Sequence, residues 1–204
     1  MKNPGSFLNG SLVLLLLLIL AGCQAIFTYS PLSFLQRDPA NLPLDQKIAW
    51  AENALASGDP EAMTTAYDAI KDESGVDYLA ANLALELSGV PQLLFEVMEG
   101  DVAIDNQIDL ENFLQQLDSS YLSAAGDHYN DTLSNDPDSL TGTDYILGAA
   151  SLLFKATELN GGSMGVGIDT TEATAFAAAG LGTMSVDDPA YEYMNDLNTF
   201  IAGL

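Results

Sequence analysis

Cysteine, histidine and tryptophan occur once each in this chain of 204 residues, and lysine and arginine together only five times. A single cysteine excludes an internal disulfide and any cysteine-rich zinc site. A single histidine, His128, leaves hydrolase triads little to work with. The scarcity of bases excludes nucleic-acid binding, which rests on Lys and Arg neutralising phosphates. Against the five bases stand 29 acids, a formal charge of −24. Such a surface also repels anionic headgroups. Contact with a membrane must therefore come from another part of the chain.

The N-terminus supplies a candidate. Apolar residues run unbroken from Leu12 to Ala21, about half the 20 or so residues that a spanning helix needs. A secretory signal has a basic start, an apolar stretch of about 7–15 residues and a small-residue cleavage site. Lys2, Leu12 to Leu20, and Ala21-Gly22 fit those three parts in order. Leu20-Ala21-Gly22-Cys23 resembles the lipobox of bacterial lipoproteins, a likeness confined to the first 23 residues. The resemblance implies that residues 1–22 are a signal peptide, cut away, and that Cys23 carries a diacylglyceryl thioether and usually a third acyl chain on its new amino group. Each buried methylene contributes about 0.8 kcal/mol, and two or three chains hold stably where one does not. In enteric lipoproteins an Asp after the Cys favours inner-membrane retention, so Gln24 points to the outer membrane. The expected location is the bacterial cell envelope, facing periplasm or cell surface.

About 180 residues remain after such a cut, enough for one domain with a real core. Residues 23–43 read as a lipidated tether, with Pro31, Pro39 and Pro43. Its apolar Ile26, Phe27, Tyr29, Leu32, Phe34 and Leu35 suggest that its second half packs on the body. The acidity has two readings: solubility in a saline habitat, or binding of cations or a basic partner. At this charge self-repulsion destabilises the compact state unless salt screens it. No calcium loop supports the second reading. Asp136-Pro137-Asp138 lacks a third ligand, and Asp101, Asp105 and Asp109 are spaced by four, as on a solvated helix face.

From Leu44 onward the apolar residues recur at helical spacing. Ile48, Ala51 and Leu55 share a face; so do Leu110, Phe113, Leu117, Tyr121 and Ala124. Tyr145, Ala149, Leu152, Ala156 and Leu159 repeat the pattern, as do Tyr191, Met194, Leu197 and Ile201. Breaks are expected at Gly58-Asp59-Pro60, Ser74-Gly75, Ser88-Gly89-Val90-Pro91, Gly126-Asp127, Asp136-Pro137 and Gly161-Gly162. The reading is all-α, about nine helices over residues 44–204, stacked as antiparallel hairpins.

The stretch Ala54-Leu55-Ala56-Ser57-Gly58-Asp59-Pro60-Glu61-Ala62, with Ala66 and Ala69 behind it, resembles the turn and second helix of a tetratricopeptide repeat. A second Gly-Asp pair, Gly126-Asp127, lies roughly two 34-residue periods further on. Ser74-Gly75-Val76-Asp77-Tyr78-Leu79 is echoed at nearly the same interval by Thr141-Gly142-Thr143-Asp144-Tyr145-Ile146. The resemblance implies a degenerate repeat array; an irregular helical bundle is the other architecture the pattern allows.

Chemistry is sparse. Gly161-Gly162-Ser163-Met164-Gly165 spells G-x-S-x-G, but that elbow needs a strand before the Ser and a later His. Here a helix precedes it, and His128 comes earlier. His128 beside Asp127 is expected at a helix start, exposed. Trp50 is expected in the core, and Ala173, Ala175, Ala177 to Ala179, Gly180 and Gly182 in tight helix contacts. No catalytic, cofactor or metal residue is assigned; Cys23 is the one modification site. Helical arrays present grooves to peptides and proteins, so the expected function is a non-enzymatic, lipid-anchored envelope adaptor. The alternative is a ligand-binding accessory component of a tripartite periplasmic-type transporter, whose helical lipoproteins the general layout resembles.

Overall fold

The computed structural model describes residues 39–92 and 115–204, and all the regular structure there is helical. The lipobox, Cys23, most of the tether, and Leu110 and Phe113 lie outside the described residues. The chain divides into two units after Asn41. In the first, the described part is a 3₁₀ turn, Pro39–Asn41. The second carries seven described α-helices: α1 (Leu44–Ser57), α2 (Pro60–Ile70), α3 (Asp77–Ser88), α4 (Ser119–Asn135), α5 (Gly142–Leu159), α6 (Thr171–Thr183) and α7 (Pro189–Ala202). A 3₁₀ turn, Pro137–Ser139, joins α4 to α5. The all-α expectation holds.

Local chemistry sets the boundaries. Gly58 ends α1 in the left-handed region at φ 65°, a conformation that costs glycine little. Asp59 then caps α2 by accepting from the Glu61 amide, and Pro60 takes the first helical position. The tight turn read from Gly58-Asp59-Pro60 is therefore present. Thr141 and Asp144 close a reciprocal capping box on α5. Asp188 and Pro189 begin α7 with the same chemistry as α2.

Each helix packs on the next in sequence, with α1 also on α3 and α5 also on α7. Two apolar clusters result. The first gathers Ala51 and Ala54 of α1, Met63, Ala66 and Ile70 of α2, Ala80, Leu83 and Ala84 of α3, and Leu122 and Ala125 of α4. The second gathers Tyr129, Tyr145, Ala149, Leu152, Phe176, Ala177, Met194 and Ile201. Leu147 of α5 packs against both. Trp50, half-buried, lies against the first cluster as core. Of the predicted α5 face only Leu159, at the helix end, is exposed.

Several sequence expectations fail. Gly126-Asp127 makes no turn: both residues lie inside α4. Gly126 is there because the α5 backbone is close; a Cβ would stand 3.1 Å from the Leu152 amide nitrogen. The repeat spacing built on that pair loses its anchor. The helix expected to run through Leu117 to Ala124 is also broken. Asp118 accepts from the Ser120 and Tyr121 amides and starts a new helix, so Leu117 belongs to the preceding turn. The echoed Asp-Tyr pairs differ in register as well. Asp77 opens α3, whereas Asp144 stands third in α5, after Gly142 and Thr143.

Candidate functional site

Residues brought together by α2, α3 and α4 surround the lone histidine. With Gly126 inside the helix, α4 carries His128 at mid-length, its side chain only 12% exposed. The exposed, helix-start position expected for it is corrected. Burial follows from the neighbours: the Tyr67 ring of α2 meets the imidazole edge-on, centroids 5.8 Å apart. The Tyr67 hydroxyl lies 3.3 Å from Nε2. The other ring nitrogen, Nδ1, faces the Asp77 carboxylate at 3.8 Å and is buried without a hydrogen-bond partner. Asp131, three positions beyond His128 and so on the same helix face, completes the group. One ligand atom from each of Asp77, His128 and Asp131 lies within 4.8 Å of the others. Burial pushes the Tyr67 phenol above its ordinary pKa, against a smaller opposite pull from Lys71, so this neighbour stays neutral.

Asp127 points elsewhere, to Lys155 of α5, which also reaches Glu172 of α6 at 2.9 Å. Lys47 pairs with Glu73 and Lys71 with Asp68. Every described lysine is thus held by an acid of this chain, and the remaining carboxylates keep their charge excess.

A cleft of about 540 Å³ opens where the start of α4 meets the end of α5. Leu117, Leu122 and Phe154 form its apolar wall; Gln115, Ser119, Thr157 and Glu158 supply polar groups. The Ser119 hydroxyl donates to Glu158 at 2.9 Å and fixes that carboxylate at the rim. Gly161 and Gly162, both at positive φ (72° and 82°), form one edge with bare backbone. This is the G-x-S-x-G stretch, and it is a loop after a helix, as expected from the sequence. Asn160 caps it by donating to the Ser163 carbonyl at 2.9 Å. His128 lies instead against Tyr67 and Asp77.

Comparison of the chain with protein families, with curated proteins and with solved structures finds no match. Among the described residues no helix is long and apolar enough to cross a membrane. Asp136 precedes the short 3₁₀ turn and Asp138 lies inside it, while Asp101, Asp105 and Asp109 lie outside the described residues. Neither the His128 group nor the cleft was named from the sequence. The first joins residues 61 positions apart, and the second depends on the break at Asp118.

Proposed function

We propose that the protein is a lipid-anchored adaptor of the bacterial cell envelope, whose helical body receives a segment of a partner protein in the Leu117–Phe154 cleft. The observation that carries this reading is the cleft itself: an apolar floor with a few fixed polar groups and a glycine backbone edge. Apolar anchors in such a depression, rimmed by polar groups, are what peptide and protein partners use for binding energy. The anchor is proposed from Leu20-Ala21-Gly22-Cys23 and the outer membrane from Gln24. Glu158 and the overall negative charge favour a partner segment bearing Lys or Arg.

A photoreactive amino acid at Phe154, in the lipidated protein in its own membrane, tests the reading. The account expects a crosslink to one discrete protein that weakens when Cys23→Ala removes the anchor. Absence of any protein adduct would contradict it.

The cleft volume supports a second reading, because small-molecule sites span about 300–1,000 Å³. An accessory component of an envelope transporter would use the cleft for a solute. In that case a small molecule, and no protein, raises the melting temperature, with the logarithm of its concentration once that exceeds Kd.

A further inference from the structure

We propose that Asp77, His128 and Asp131 form a site for one divalent first-row transition-metal ion, with zinc the expected occupant. The imidazole Nδ1 is buried and lacks a hydrogen-bond partner. Its 3.8 Å separation from the Asp77 carboxylate is too long for a hydrogen bond, since even about 3.6 Å does not make one. With the imidazole proton on Nε2, it is also too short to leave the Nδ1 lone pair and a carboxylate face to face with nothing between them. A cation resolves the conflict. The three ligand atoms already lie within 4.8 Å of one another, and bonds of about 2.0–2.2 Å to zinc would need only a small inward movement.

The surroundings fix the ligand atom. A metal-bound histidine uses its other ring nitrogen to donate to a nearby oxygen, which sets the tautomer. Here Nε2 is 3.3 Å from the Tyr67 hydroxyl, leaving Nδ1 for the ion. Imidazole with two carboxylates suits zinc and its neighbours, whereas calcium and magnesium take oxygen ligands alone. Three protein ligands leave a fourth position for water or for a group from a partner. The ion would tie the first turn of α3 to the middle of α4, two helices that are distant in sequence.

The single histidine makes the test direct. The ¹⁵N-labelled chain, purified without a histidine tag and stripped with a chelator, is titrated with zinc chloride in high sodium chloride. Salt suppresses loose binding to the acidic surface. The expected result is a shift of the Nδ1 resonance that saturates at one equivalent. Asp131→Asn, at an exposed position, should weaken the response more than about tenfold, with Asp138→Asn unchanged. Circular dichroism confirms that each variant is folded. The proposal is overturned if Nδ1 does not move, or if its shift survives both Asp77→Asn and Asp131→Asn. An imidazolium simply paired with Asp77 would give that outcome.

Discussion

Phe176 of α6 sits on the bare backbone of Gly148 in α5, so close that a Cβ on the glycine would stand 2.5 Å from the ring atom Cε1. Gly180 of α6 answers it, receiving Tyr145 of α5 where a Cβ would stand 2.9 Å from that residue's Cβ. Gly148 and Gly180 are thus a fitted contact between the two helices, whereas Ala175, Ala178 and Gly182, also expected in tight contacts, are exposed.

The contact predicts opposite outcomes for two glycine-to-alanine changes. Alanine normally favours a helix over glycine by roughly 0.5–1 kcal/mol. At Gly148 overpacking, typically about 1–3 kcal/mol, should outweigh that gain and destabilise the fold. Gly182, also in α6, has open space where its Cβ would go, so Gly182→Ala should stabilise by about 0.4–1 kcal/mol. Urea denaturation of the two variants checks the sign of each.

Asp118 holds the start of α4, and its carboxyl lies below the usual range, chiefly through the Ser120 hydroxyl and further through the Tyr121 and Ser120 amides. A depressed folded pKa gives stability that is present above the unfolded value, about 4, and is lost as pH falls through the folded value. Asp118→Ala should cost about 1 kcal/mol at neutral pH. The gap to wild type should close as the pH drops below 4, which paired denaturation curves across that range would show.

Tyr129 is fully buried and donates to Asn82 at 3.2 Å. Desolvation pushes its phenol far above the ordinary value, with a further push from Asp144. A raised folded pKa means stability that is complete below the unfolded value, near 10, and lost progressively as pH climbs beyond it. Tyr129→Phe should lose about 1 kcal/mol at neutral pH from the missing hydrogen bond. Its stability should then fall less steeply than wild type above pH 10, read from alkaline denaturation.

Salt should stabilise this protein. Excess carboxylates repel one another, and raising ionic strength to 1 M shortens the screening length to about 3 Å. The described ion pairs that salt would weaken are few, and the exposed ones contribute little. Tm should therefore rise with sodium chloride; a flat or falling Tm would contradict the account of the acidic surface.

How far the sequence was legible depended on whether a signal was local. The Gly58-Asp59-Pro60 turn was legible because cap, left-handed glycine and first-turn proline act within four residues. The buried face of Tyr145, Ala149, Leu152 and Ala156 was legible because periodicity alone fixes it. Gly126 misled because a glycine can mark either a turn or a close contact with another helix, and only Leu152, brought up by tertiary packing, decides between them. That error carried His128 with it, from a buried position to an expected exposed one. Asp118 followed by Ser119-Ser120 was a readable cap, overridden by the strong spacing of Leu117, Tyr121 and Ala124. The cleft and the His128 group could not be read, since their parts come from helices that only folding brings together.

The central claim is that this acidic helical body is held at a membrane by lipid on Cys23. Mass spectrometry of the N-terminal peptide from the detergent-extracted membrane fraction tests it most directly. The account predicts a chain that begins at Cys23 and carries a diacylglyceryl thioether, with residues 1–22 gone. A peptide that retains those residues, or a Cys23 with a free thiol, would contradict it.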